Sequence, residues 1–66
     1  SPEVLPLLLS LASDPDWNIR NHAGWGLGQL PGSQAVRAAL VALARDVEPV
    51  VARTARGALA RLEPVG

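Results

Sequence analysis

The chain repeats itself after 32 residues, and a period of that size restricts the fold more than any single side chain does. Residues 1–32 laid over 33–64 without a gap pair Val4 with Val36, Leu8 with Leu40, Leu11 with Leu43 and Asp14 with Asp46. The same register pairs Ser1 with Ser33, Ala12 with Ala44, Ala23 with Ala55, Leu27 with Leu59 and Leu30 with Leu62. Exact periods of about 20 to 50 residues belong to stacked units that each bury a face against the next. The sequence therefore predicts a piece of a solenoid, an architecture whose usual work is binding.

Each unit carries two apolar stripes at helical spacing, separated by a short acidic turn. In the first unit the stripes are Val4, Leu8, Leu11 and then Ile19, Ala23, Leu27, Leu30. In the second they are Val36, Leu40, Leu43 and then Val51, Ala55, Leu59, Leu62. Pro15 stops the first helix, and the Asp16 carboxylate can cap the second by accepting from its free backbone N–H groups. Glu48 takes Asp16's place in the second unit. Pro49 follows it, at a first helical position where the missing N–H costs nothing. Pro31-Gly32 and Glu63-Pro64 close the two units. Four helices follow, near residues 3–12, 16–30, 34–44 and 49–62.

Length sets the next limit, because a core in 66 residues seldom supplies more than roughly 3 to 5 kcal/mol without a staple. There is no cysteine for a disulfide, and a lone histidine cannot anchor a structural metal. No cofactor is expected. Two repeats of one domain, 1–32 and 33–64, are thus expected to form part of a longer repeat protein or to self-associate. Six arginines balance six acidic residues, and this zero net charge weighs against a nucleic-acid footprint. The balance is uneven along the chain: residues 1–32 hold one Arg against three acids, and residues 33–66 hold five against three. No stretch is long and apolar enough for a membrane span and none has the form of a secretory leader, so a cytoplasmic setting is expected.

The segment Asp14-Pro15-Asp16-Trp17-Asn18-Ile19-Arg20, running on to Ala23 and Leu27-Gly28-Gln29-Leu30, resembles the second helix of a HEAT repeat and its leading turn. The likeness is to the short form of about 30 residues found in phycocyanobilin lyase-like repeats. It covers both units and implies an all-α fold of two helical hairpins stacked as a short right-handed solenoid. It further implies that the turn aspartate and the arginine six residues later bond neighbouring repeats, giving Asp14, Arg20 and Asp46 a ladder role. The second unit departs from the pattern, with Ala52 where the arginine belongs.

Candidate chemistry is thin. Gly24-Trp25-Gly26-Leu27-Gly28 lacks the spacing and the preceding strand of a nucleotide-binding loop. Gly26 falls on the core stripe opposite Ala58, whereas Gly24 and Gly28 fall on the far face beside Trp25. His22 borders the buried stripe and suits packing or capping better than catalysis. Ser10, Ser13 and an aspartate are not set in any nucleophile motif.

Trp25 is more informative. With Ile19 at zero and about 100° per residue, the core residues cluster within about 80°, while Asn21 falls at about 200° and Trp25 at about 240°. Arg53 and Arg56 occupy comparable directions on the fourth helix, with Gly57 in register with Trp25. The resemblance places second helices on the concave face of a solenoid, so Asn21, Trp25, Arg53 and Arg56 form a candidate protein-binding patch, suited to an acidic segment. The competing reading is that Trp25 covers Gly57 and packs between the repeats. Leu5, Leu7 and Leu9 lie off the first stripe, and Leu5 and Leu9 are candidate self-association residues, to be covered by a second copy or an adjacent repeat. The expected function is a protein-interaction or scaffold module and not an enzyme. The alternatives are an accessory unit of a bilin lyase-like enzyme, as the resemblance allows, or a purely structural stretch of a longer solenoid.

Overall fold

A computed structural model describes residues 3–62, which form four helices and no strand: α1 (Val4–Leu11), α2 (Trp17–Leu27), α3 (Gln34–Leu43) and α4 (Pro49–Leu62). α1 pairs with α2 and α3 with α4 as two hairpins. The hairpins stack with α2 lying along α4, while α1 and α3 meet only lightly. Glu63-Pro64, expected to end the fourth helix, lies outside the described residues.

Local chemistry explains the boundaries. Pro6 sits in the first turn of α1, where a backbone N–H would have no helical partner. Beyond Leu11 the chain tightens, with Ser13 N–H donating to the Ser10 carbonyl at 3.2 Å and Asp14 N–H to that of Leu11 at 3.1 Å. The Asp14 carboxylate then accepts from Asp16 N–H at 2.8 Å, and the Asp16 carboxylate accepts from Asn18 N–H at 2.9 Å, capping α2 as expected. Asp46 repeats the first of these bonds with Glu48 N–H at 2.9 Å, and Pro49 opens α4. Ser33 caps α3, its Oγ accepting from Val36 N–H at 3.2 Å.

α2 is shorter than the sequence predicts, ending at Leu27 instead of Leu30. Gln29 and Leu30 donate to carbonyls three residues back, at 3.0 and 3.2 Å, so the last turn is wound tighter than an α-helix. Two causes act together. Pro31 disfavours helical geometry at Leu30, and the glycines of this stretch each lower helix propensity by roughly 1 kcal/mol relative to alanine.

The buried centre is Leu27, Val36, Leu40, Leu43, Val51, Ala55 and Ala58, with Ala23 and Ala52 also closed to solvent. Half of the expected stripe residues are there: Ala23, Leu27, Val36, Leu40, Leu43, Val51 and Ala55. Leu59 is not: it is half-buried, and Ala58, one position earlier, has no exposure at all. The reason lies opposite. α4 turns Ala58 towards Gly28, the residue that follows α2, so the helix faces its partner slightly off the axis that the Val51, Ala55, Leu59, Leu62 stripe predicts. The first stripe of unit one, Val4, Leu8 and Leu11, has no fully buried member, although its counterparts in unit two are all buried.

Leu5 and Leu9, expected to face outward for self-association, instead pack partly buried against this core. Leu7 is the open leucine of α1, at 59% exposure. The glycine assignment is also reversed. Gly24 is buried, its side facing Leu43 and Thr54, and Gly28 lies against Ala58 and Arg61, so these two face the neighbouring unit, whereas Gly26 faces Leu8 of its own hairpin.

Truncating Leu27, which has no exposed surface, should cost about 2 to 5 kcal/mol, comparable to the whole stability of a domain this small. Leu59→Ala should cost less, because Leu59 keeps part of its surface in solvent. Chemical denaturation of both variants, followed by circular dichroism, checks the order; a larger loss for Leu59 would contradict this packing. The glycines give an opposed pair. A methyl at Gly28 would lie 2.8 Å from the Ala58 methyl, so Gly28→Ala should destabilise. At Gly57 nothing lies within 4 Å, and Gly57→Ala should raise stability by up to about 1 kcal/mol through helix propensity alone.

Candidate functional site

Two arrangements of polar side chains stand out, one between the hairpins and one on the outer face of the second helices. The first centres on Arg20. Its Nε–H donates to Asp46 Oδ2 at 2.7 Å, and the terminal nitrogen Nη2 donates to Oδ1 at 3.0 Å, a two-pronged grip across the hairpin boundary. The other terminal nitrogen, Nη1, donates to the carbonyls of Asp14 and Pro15, each at 2.9 Å. Arg20 thus ties its own turn to the turn of the next unit. The two side chains are 16% and 9% exposed, so the pair is shielded from most competing water.

Protonation follows the geometry. The hydrogen bond from Arg20 holds the Asp46 carboxyl below its ordinary value, against the opposing effect of burial, and the Glu48 N–H adds to the lowering. The Arg20 guanidinium is raised in turn, first by the hydrogen bond to Asp46 and then by the nearby carboxylates of Asp46, Asp14 and Asp16, with burial opposing. Asp14 differs from Asp46 in one respect. Its carboxylate accepts only from Asp16 N–H among the described residues, and no side chain pairs with it.

A second arginine, which the sequence did not single out, closes the opposite end. Arg37, in the first turn of α3, donates through Nε to the Gly32 carbonyl at 3.3 Å and through Nη2 to the Leu62 carbonyl at 3.0 Å. It satisfies a terminal carbonyl of α4, where a positive charge is also favoured by the helix dipole. The repeat alignment hid it, because Leu5 occupies the same position in unit one.

On the outer face, Trp25 is 59% exposed and Arg53, Arg56 and Gly57 are open to solvent. Trp25 does not cover Gly57: no Trp25 atom lies within 4 Å of where a Gly57 side chain would start. Asn21 differs from expectation. It is half-buried, and its Oδ1 is closed to solvent without a hydrogen-bond donor among the described residues. His22, expected beside the core, is exposed. Arg56 occupies the repeat position of Gly24 and Arg53 that of Asn21, so Arg56 projects towards the outer flank of α4 and Arg53 nearer to Gly57.

Among the described residues no group of three His, Cys, Asp or Glu side chains is placed to hold a metal ion. Nor is any described helix long and apolar enough to cross a membrane. The fold, the capped acidic turns and the arginine bridge between hairpins agree with the comparison to known families, in which HEAT repeats match residues 1–60. The chain belongs to the HEAT repeat family. HEAT repeats generally act as protein-interaction scaffolds and are typically non-enzymatic. No curated protein and no solved structure gave a significant match.

The depressed Asp46 carboxyl makes a signed prediction. A carboxyl that is more acidic in the folded than in the unfolded chain stabilises the fold above its unfolded value and loses that contribution as the pH falls through the folded one. Wild type should therefore exceed Asp46→Asn in thermal midpoint at neutral pH, and the gap should close on acidification below the ordinary aspartate value of 3.8. Melting curves from pH 7 to about pH 2 check this; a gap that persists at the acid end would show that the Arg20 bond does not depend on the Asp46 charge.

Proposed function

We propose that this HEAT-repeat pair is a protein-interaction module that binds an acidic segment across the outer face of its second helices. The observation that carries the reading is the exposed Trp25 on α2 and, at the matching repeat position of α4, an uncovered Gly57. A glycine inside α4 weakens the helix by roughly 1 kcal/mol, and no close neighbour requires it there. Its absence of a side chain leaves room for another backbone to approach. Trp25 supplies apolar area, and Arg53 and Arg56 supply donors that can grip a carboxylate in two-pronged fashion. Tryptophan and arginine are also the residue types that most often dominate protein interfaces.

Asn21 enters this reading only as a flank, since its amide oxygen is already closed off. The patch carries too few cations for a nucleic acid, whose binding rests on many phosphate contacts. The period of 32 residues supports the short, phycocyanobilin lyase-like form as the subtype.

Amide-resolved NMR with a glutamate-rich peptide as the probe tests the reading. Shifts are expected at the Trp25 indole N–H and the amides of Arg53 and Gly57, weakening as salt is raised. Combining Trp25→Ala, Arg53→Ala and Arg56→Ala should abolish them while leaving the melting curve close to wild type. Equal binding by that variant, or shifts confined to the outer side of α1, would reject the surface.

A further inference from the structure

Trp25 has a second tryptophan in line with it. Trp17, Asn21 and Trp25 are spaced four apart on α2, so they form one slanting row along that helix. Trp17 is 39% exposed and Trp25 is 59% exposed, and about 12 Å of helix axis separates them. Neither belongs to the buried core. Asn21 stands midway between them.

The repeat counterparts of this row on α4 are Pro49, Arg53 and Gly57. All three are exposed, and none brings a large apolar side chain. α2 and α4 lie side by side, with Gly24 level with Thr54 and Gly28 level with Ala58, so the two rows run in the same direction. A tall apolar row on α2 therefore adjoins a low row carrying one cation on α4, which makes a step along the seam between the hairpins.

Asn21 puts a polar group in the middle of that step. Its Oδ1 is closed to solvent without a donor among the described residues, while its amide nitrogen is neither closed off nor bonded to any of them. An asparagine inside a helix lowers helix propensity, and a closed acceptor without a donor adds to the cost. The caps and the bridge between hairpins use other residues. Packing thus leaves unexplained an open amide donor between two open indoles.

The spacing selects the shape of a ligand. An extended chain rises about 3.3 Å per residue, so side chains four apart lie about 13 Å apart on one face, matching the separation of the two indoles. A helical ligand would need about eight residues to span the same distance. In an extended chain the intervening side chains alternate to the other face, which puts every second one on the α4 side, towards Arg53.

Resting on the reading of this surface as a site for an acidic segment, we infer the form of that segment: an extended strand laid along α2. Apolar residues four apart cover Trp17 and Trp25, a main-chain carbonyl between them accepts from the Asn21 amide nitrogen, and an acidic residue between them turns to Arg53. Gly57, having no side chain, lets the strand lie low against α4. Neither row holds an acidic residue that would repel it.

Calorimetric titration with two sets of variants tests the inference. On the ligand side, a peptide containing Leu-Glu-Gly-Glu-Leu should bind more tightly than one of the same composition with its leucines three apart. It should also bind more tightly than an alanine-rich, helix-forming acidic peptide with leucines eight apart. On the protein side, Asn21→Leu and Trp17→Ala should each weaken the first peptide by about tenfold while leaving the melting curve close to wild type. Equal or tighter binding of the helix-forming peptide, indifference to leucine spacing, or wild-type affinity in both protein variants would each overturn the extended strand. If those two variants bind as wild type while the combined Trp25, Arg53 and Arg56 variant does not, the acidic-segment reading stands and this inference falls. Failure of the wild-type chain to bind any of the three peptides removes both.

Discussion

The distance between α2 and α4 is what the rest of this molecule depends on. Where Gly28 faces Ala58 there is no space for one more methyl group, so the two helices approach as closely as their backbones allow. That approach closes Leu27, Val51, Ala55 and Ala58 completely to solvent, within a chain whose α1 contributes no fully buried residue. Small residues gain little apolar burial individually. Their value is that they let larger neighbours make dispersion contacts on both sides, since a gap of even a fraction of an ångström forfeits much of that attraction. The weak helix propensity of a glycine-rich α2 is the cost of this arrangement, visible in its early termination at Leu27.

The same spacing brings Arg20 to Asp46. A surface ion pair is worth little by itself, but this one is shielded, two-pronged, and combined with two carbonyl acceptors in the arginine's own turn. Its main effect is on register. An apolar interface tolerates sliding, because burial is not directional, whereas a guanidinium fork bonded to four acceptors fits one offset between the units. Arg37 does comparable work within unit two, holding the first turn of α3 to the last carbonyl of α4. Two arginines therefore fix the ends of a structure whose centre is aliphatic.

What remains outside these contacts is what a partner can use. The directions on α2 and α4 that point neither to the core nor to the adjoining hairpin carry Trp25, Gly57 and Arg53, a combination of apolar area, open backbone and charge. Packing does not account for it: Trp25 keeps most of its surface in solvent and Gly57 has no close neighbour. The acidic turns, by contrast, are used up in structure. Asp16 caps a helix and Asp46 is paired, and a solenoid built from such turns offers its ligands the helix faces.

The repeat, the number of helices, the position of both turns and the capping role of Asp16 were legible in the sequence, because each depends on residues within a few positions of one another: a period, a proline, a short carboxylate beside free N–H groups. The likeness to HEAT repeats also pointed to Arg20 and Asp46 as partners. Only the tertiary structure decided which glycines face the neighbouring unit, why Ala58 and not Leu59 is closed to solvent, and that Leu5 and Leu9 turn inward while Leu7 stays open. A helical wheel gives the direction of a side chain from its own helix axis. It holds no information about what stands opposite, and burial is a property of the pair: Leu27 and Leu59 occupy the same place in their units, yet only Leu27 has another unit stacked against it.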